Sequence, residues 1–353
     1  PRGAVGRADM DGASVHGGVW AVDAYDHARK STDVPAACET MFADMQMPML
    51  YPGSVQEIID YGLCGWALSR FSGAWTGFKI VADTVDAVAP VDGDPHRLRI
   101  ILPEFEFPED GVHIRAGDRW TLQEPRPRNF KLPAALAFAR ANDLNKLVMQ
   151  SERPRIGIVS SGKAAVDVRQ AMMELGIDEK QAADLGIVML KMGMPFPFDQ
   201  DRVRGFADGL EEVVVIEEKR RFMESRVRDA LYDLPDGRRP RVVGSQDGEG
   251  RDMLPGRGEF GVEEIARALA GRIAHFHTSE RITARLAFLD AKAGRAAQRQ
   301  DMAVNRIPYF CSGCPHNTST KVPEGSRAQG GVGRPYMAGY LDRPTHAHTP
   351  LAG

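Results

Sequence analysis

The sequence predicts an α/β protein with mostly parallel sheets flanked by helices, and three features carry that expectation. Between residues 155 and 231, short apolar runs alternate with stretches of helical period, giving strand, helix, strand, helix, strand, helix. Residues 17–82 read as strand, loop, strand, helix, strand. The length, 353 residues, calls for two or three domains, and parallel strands joined by right-handed crossovers fill such domains economically.

Taken in order, residues 3–18 are rich in Gly and Asp and read as loop. Gly17-Gly18-Val19-Trp20-Ala21-Val22 is a short buried strand, and Met49-Leu50-Tyr51 is a second. Pro52-Gly53 then turns the chain into a helix, with Ser54 as N-cap and Glu57 completing a capping box. Val55, Ile58, Ile59, Leu63, Trp66, Ala67 and Phe71 make its apolar stripe. Residues 77–82 form another strand. Residues 88–129 are rich in Pro, Asp and Glu and read as a linker, interrupted by one strand over 98–102. A helix over 132–148 follows, closed by Pro154. The second unit places strands over 155–159, 187–190 and 212–217, with helices over 163–175, 199–210 and 220–231. Residues 235–258 are a surface excursion, and two helices come next, the first with Val262, Ile265, Leu269, Ile273 and Phe276 on one face.

Composition removes several function classes. The chain is 43% hydrophobic and 26% charged, which excludes wholesale disorder. Lys and Arg total 45 against 48 Asp and Glu, so no global positive field exists to hold nucleic acid or an anionic membrane. No apolar stretch is long enough to span a bilayer, and no basic start followed by an apolar core marks a signal peptide. Four cysteines are too few for a disulfide scaffold, so a reducing, cytoplasmic setting is expected. Cys38 and Cys64 read as core or pocket residues. The start at Pro1, without Met and inside a Gly-rich run, suggests an internal piece of something longer.

Few residues stand out chemically. Cys311-Ser312-Gly313-Cys314-Pro315-His316 is a CxxC whose two thiols can hold one metal or form a reversible disulfide. Zinc, an iron–sulfur cluster, redox exchange and a plain structural turn all remain open, and His316, His346 and His348 are candidate zinc partners. Asp26, His27, Lys30 and Ser31 follow a strand at its carboxyl end, where α/β sheets place ligands. Ser160-Ser161-Gly162-Lys163 opens a helix and reads first as a tight turn, second as an anion site. Glu217-Glu218-Lys219-Arg220 reads as a solvated helix start.

One long string changes the weight of these observations. Arg306-Ile307-Pro308-Tyr309-Phe310-Cys311-Ser312-Gly313-Cys314-Pro315-His316-Asn317-Thr318-Ser319-Thr320-Lys321-Val322-Pro323-Glu324-Gly325 resembles the large bacterial indolepyruvate ferredoxin oxidoreductases. Tyr61-Gly62-Leu63, Gly65-Trp66-Ala67, Ser69-Arg70-Phe71-Ser72-Gly73, Asp167-Val168-Arg169-Gln170 and Ser279-Glu280-Arg281 extend the resemblance upstream. It implies thiamine-diphosphate-binding-type domains, incomplete at both ends. Residues 1–125 would be the C-terminal part of a pyrimidine-binding domain, 126–154 a linker helix and 155–245 a transketolase-C-terminal-like domain. Connecting helices would occupy 246–300, and 301–353 would begin a diphosphate-binding domain. The implied activity is oxidative decarboxylation of an aryl 2-oxoacid, typically indolepyruvate. Thiamine diphosphate, Mg²⁺ and a 4Fe–4S cluster would be the cofactors, coenzyme A and ferredoxin the partners, in a homodimer. Asp26, His27, Gly313, His316 and Asn317 become candidate cofactor contacts, and Cys311 and Cys314 two of four cluster thiolates.

Departures from the family pattern are also visible. Its third thiolate position is Arg334 here, whose guanidinium has donors but no acceptor for iron. Its Gly-Asp-Asp-His is Ala24-Tyr25-Asp26-His27, and its His-Gln-Ser-Glu is Ala36-Ala37-Cys38-Glu39. The cofactor-activating glutamate is expected before Pro1 and the magnesium motif after Gly353. A degenerate, non-catalytic relative or scaffold, or a small Cys/His zinc module, are the alternative readings.

Overall fold

The computed structural model describes residues 2–25, 27, 37–300, 309–331, 337–341, 343 and 345–348. Two compact units result, a large one running through Ala287 and a small one from Phe288 onward.

The large unit opens with helix α1 (Arg2–Asp11), strand β1 (Trp20–Tyr25), helix α2 (Glu39–Asp44), strand β2 (Met49–Leu50), helix α3 (Val55–Ser72) and strand β3 (Thr76–Val81). The three strands form a parallel sheet in the order β1-β3-β2. Residues 3–18 are therefore not simply a loop. The carboxylate of Asp9 on α1 accepts the Trp75 amide at 2.7 Å, Lys131 donates to the Asp9 carbonyl, and Val5 packs on the core, so tertiary contacts impose a helix on a Gly-rich run. Ser54 caps α3 by accepting the Glu57 amide at 3.3 Å. Glu57 reaches one residue further back than a capping box requires and accepts the Gly53 amide at 2.8 Å.

Two short helices, α4 (Ala82–Val85) and α5 (Trp120–Gln123), bracket the Pro- and acid-rich stretch. The expected strand over 98–102 does not form. Asn142 supplies what a neighbouring strand would: its amide oxygen accepts Ile101 N–H and its nitrogen donates to Ile101 C=O, both at 2.8 Å. Elsewhere the stretch is held by side chains. Arg126 pairs with Asp110 and Asp118 and donates to Gly111 C=O, while Phe105 and Phe107 meet Phe71 edge-on.

After a π-helical turn comes α6 (Leu132–Ala141), shorter than expected. Asp143 sits at φ 46°, and strand β4 (Asn145–Met149) follows where helix was expected. The predicted alternation then appears: β5 (Ile156–Ser160), α7 (Gly162–Glu174), α8 (Glu179–Asp184), β6 (Ile187–Met192), α9 (Gln200–Ala207), β7 (Glu212–Ile216), α10 (Phe222–Tyr232) and β8 (Arg241–Val243). Their sheet has the order β4-β6-β5-β7-β8, parallel throughout except that β4 runs antiparallel on the edge. Every residue of β5, β6 and β7 is buried, as a sheet covered on both faces requires. Helix α11 (Val262–Ile273) packs on α7, and its Arg272 forms a buried two-pronged pair with Glu212 at the start of β7.

The two sheets meet at β2. Met49 N–H donates to Phe196 C=O at 2.7 Å and Tyr51 N–H to Gly193 C=O at 3.0 Å. Phe42, Met47 and Met49 enter one apolar core with Val159, Leu190, Val213 and Val215. Helix α12 (Glu280–Gln300) leads into the small unit, where α13 (His316–Ser319) and the parallel pair β9 (Ala328–Gly330) and β10 (Thr345–His348) are described.

Candidate active-site crevice

From β5 the chain passes through α7 and α8 to β6 on one side, then crosses to β7 on the other. The carboxyl ends of β5 and β7 therefore flank a topological switch point, the place where parallel α/β sheets leave a crevice. Ser160, Ser161, Glu217 and Glu218 stand at those ends. Ser160 Oγ donates to Ile216 C=O at 2.8 Å and Ser161 Oγ to Met192 C=O at 2.6 Å, so both hydroxyls tie strand ends together. The anion-site reading of 160–163 fails for that reason, and because carboxylates face the turn.

A small crevice remains, lined among others by Glu39, Tyr51, Lys79, Ser161, Glu217 and Glu218, with room for about one water molecule, near 20 Å³. Two residues of the first sheet fill the rest. Tyr51 lies on Gly162, which at φ 53° opens α7 so closely that any Cβ there would overlap the Tyr51 ring. Lys79 on β3 sits 4.2 Å over the same ring and forms an ion pair with Glu39 at the start of α2. Burial opposes the Lys79 ammonium, yet Glu39, with Tyr51 and Cys38, holds its pKa above the usual lysine value. Glu39 is correspondingly held low against its own burial. Burial drives the Tyr51 phenol upward, and its hydroxyl has no hydrogen-bond partner among the described residues.

The expected solvated charge run at 217–220 proves largely interior. Half-buried Glu217 accepts the amides of Met223 and Glu224 at 2.7 and 2.8 Å, and burial pushes its carboxyl up to about 8 against those donors. Glu218 is 7% exposed. Burial would raise it too, but His27, Lys163 and Lys79 hold it below the usual carboxylate range. His27 Nδ1 lies 2.6 Å from Glu218 Oε2, and Lys219 donates to the His27 carbonyl. Lys163 Nζ lies 2.7 Å from Asp167, 3.6 Å from Glu259 and 3.8 Å from Glu218.

Of the residues singled out from sequence, His27, Ser161, Lys163, Glu217 and Glu218 therefore reach this cluster, the last two having been read only as a solvated helix start. Asp26, Lys30, Ser31 and Ala36 lie outside the described residues. Tyr51, Glu39 and Lys79 carry the site without having been read as site residues. Lys79 did leave a signal, a lysine inside an apolar strand, where an ammonium persists only if paired. Cys38 and Cys64 are buried free thiols, as expected.

Gly313, His316, Asn317, Cys311 and Cys314 belong to the small unit. Gly313 at φ 81° lets Cys314 N–H donate to Cys311 C=O at 3.0 Å, closing the CxxC turn. Cys314 Sγ lies 3.4 Å from His316 Nδ1, and Asn317 donates to Cys311 C=O at 3.0 Å. Arg334 lies outside the described residues, as do the side chains of His346 and His348 on β10.

Neither cofactor fits the described residues on their own. The crevice has water-sized room and three carboxyl groups, of which Glu39 and Glu218 are held ionised and repel a diphosphate. Two thiols are half of what a 4Fe–4S cluster takes, and no group of three or more His, Cys, Asp or Glu among the described residues could hold a metal.

The sheet order and its switch-point crevice define a doubly wound α/β domain with a second parallel sheet docked on the crevice. Residues 146–297 match the family described as indolepyruvate oxidoreductase domain. The indolepyruvate oxidoreductase subunit IorA of Methanothermobacter marburgensis is 26% identical over 271 residues, 76% of this chain and 38% of that protein. Its counterpart from Pyrococcus abyssi is 24% identical over 322 residues, 86% of this chain and 44% of that one. The chain is thus similar, over most of its length, to indolepyruvate oxidoreductase subunits, and it spans about two-fifths of the length of these relatives. Among solved structures, a 2-oxoglutarate:ferredoxin oxidoreductase from Magnetococcus marinus gives a TM-score of 0.49 at 15% identity, over 76% of this chain and 50% of that one. No helix among the described residues is long and apolar enough to cross a membrane.

Proposed function

We propose that the chain works within an oxidoreductase that oxidatively decarboxylates an aryl 2-oxoacid, indolepyruvate, passing the acyl group to coenzyme A and electrons to ferredoxin. The observation that carries this reading is the in-order similarity to indolepyruvate oxidoreductase subunits over 76–86% of the chain. Thiamine diphosphate with Mg²⁺ supplies the electron sink for such a decarboxylation. In this reading Gly313, His316 and Asn317 contact that cofactor, and Cys311 and Cys314 give two thiolates to a 4Fe–4S cluster. Residues before about 125 act as a pyrimidine-binding domain, 155–245 as a transketolase-C-terminal-like domain, and 301–353 as the start of a diphosphate-binding domain. A cytoplasmic homodimer is the working assembly, and four free cysteines suit a reducing compartment.

Ala37 and Arg334, set where the family pattern has a polar side chain and a thiolate, favour a second reading, a non-catalytic relative. One assay separates the two. The complete subunit, prepared without oxygen and supplied with its cofactors, is tested for coenzyme-A-dependent ferredoxin reduction with indolepyruvate, pyruvate and 2-oxoglutarate. Indolepyruvate should give a kcat/KM at least about tenfold above the others, the discrimination expected of an apolar pocket. A folded, cofactor-loaded subunit that reduces ferredoxin with none of them overturns the proposal and leaves the scaffold.

A further inference from the structure

The CxxC loop of the small unit is a closed turn braced on both sides. Cys314 N–H donates to Cys311 C=O at 3.0 Å, and Gly313 at φ 81° supplies the left-handed third residue of such a turn. A turn of this kind brings its first and fourth Cα atoms within about 7 Å, and a disulfide joins Cα atoms about 4.4–6.8 Å apart. Asn317 donates to Cys311 C=O at 3.0 Å, and His316 Nδ1 lies 3.4 Å from Cys314 Sγ. The buried Phe310 ring packs 5.6 Å from that of His316, and Arg343 lies over Phe310 and donates to the His316 carbonyl at 3.2 Å. Cys311 is exposed and Cys314 half-buried, whereas Cys38 and Cys64 are 0% and 3% exposed inside the large unit. An oxidant in solution therefore reaches the CxxC pair and not the other two thiols.

We propose that Cys311 and Cys314 are a reversible dithiol–disulfide pair, oxidised by a low-molecular-weight disulfide such as oxidised glutathione. Exposed Cys311 attacks first. Its sulfur bonds to one sulfur of the small disulfide, whose S–S bond breaks and releases one small thiol carrying the Cys311 proton. Cys314 then attacks Cys311 Sγ, which forms the bond within the chain and releases the second small thiol with the Cys314 proton. Two electrons pass from the cysteines to the small disulfide, and excess small thiol reverses both steps. The pair goes beyond the function proposed above, in which a cluster takes both thiols, and concerns them when no cluster holds them. That condition has weight here, because the chain has four cysteines and Arg334 stands at the family pattern's third thiolate position.

The test uses the 353-residue chain, reduced and free of metal, incubated without oxygen in mixtures of oxidised and reduced glutathione. Thiols counted after unfolding should fall from four to two, and digestion should place both lost thiols on Cys311 and Cys314 of one chain. Dithiothreitol should restore all four. Four thiols retained, glutathione left on both cysteines, or a bond between two chains overturns the pair. The folded chain should reach half-oxidation at a ratio of oxidised to reduced glutathione at least about tenfold lower than the urea-unfolded chain, since the folded turn already holds the cysteines together. Equal midpoints overturn the role of the turn. Cys314→Ser should keep one glutathione on Cys311, and Cys311→Ser should react at least about tenfold more slowly through its half-buried thiol. Equal rates for the two variants overturn the order of attack. None of these outcomes depends on whether the complete enzyme turns over a 2-oxoacid, so the two proposals fail separately.

Discussion

Asp9 shows how one side chain ties pH to stability in this protein. Burial pushes its carboxyl up to about 7, against the Trp75 amide and the Lys131 ammonium that lower it. The folded state thus keeps a proton that the unfolded chain releases near pH 4. Asp9's own contribution to stability should be fully present below pH 4, fall as pH rises toward 7 and level off above that. Glu217 adds a loss of the same sign up to about pH 8, while Glu39 and Glu218, held low, act in the opposite sense at acid pH. The Asp9 loss is on the order of 2–4 kcal/mol, since each tenfold difference in proton affinity between the folded and unfolded chain corresponds to about 1.4 kcal/mol. Asp9→Asn keeps an oxygen for the Trp75 amide and cannot ionise, so it should lessen the downward slope between pH 4 and 7, leaving the part that Glu217 contributes. Urea midpoints read by tryptophan fluorescence check this, because all four tryptophans precede residue 121. A variant whose midpoint keeps the wild-type pH slope contradicts the assignment of that slope to Asp9. Nothing in the sequence marked Asp9, which lies in a run that reads as loop; its partner Trp75 is 66 residues away.

At the scale of elements, β2 and α7 depend on one backbone position. Gly162→Ala puts a side chain on a left-handed residue and into the Tyr51 ring at once. The backbone strain costs about 1 kcal/mol and overpacking another 1–3. The substitution should therefore destabilise the large unit by about 3 kcal/mol, and by roughly half that in a Tyr51→Leu background, where the ring is gone. A loss below about 1 kcal/mol in the urea midpoint would show that the sheets are not locked at this contact. The elements themselves divide by legibility. The strands and helices over 155–231 are visible in sequence because continuous apolar runs and helical stripes report local burial. β4 is not: residues 145–149 extend a helical pattern, and they become a strand only because Asp143 turns left-handed and the edge of β6 is free to pair. The strand expected over 98–102 fails for the converse reason, since the Asn142 side chain takes the place of a neighbouring strand.

For the whole molecule, the cofactor fit yields a prediction of its own. The 353-residue chain should show no thermal stabilisation by saturating thiamine diphosphate with Mg²⁺, with Tm constant within about 1 °C, because linkage requires a site present in the folded state. A saturable rise in Tm would mean that residues outside those described complete a diphosphate site.

Sequence alone determined the α/β class, the alternation over 155–231, the family resemblance and the CxxC turn, because each is written in local pattern or in a contiguous string. It also placed His27 at a strand's carboxyl end, where a ligand residue belongs. Only the tertiary structure decided what that position faces. Glu218 stands 191 residues further on, and Lys79, Glu39 and Tyr51 arrive from a different sheet. Charges far apart along the chain interact only once folding removes the water between them, and no periodicity records that event.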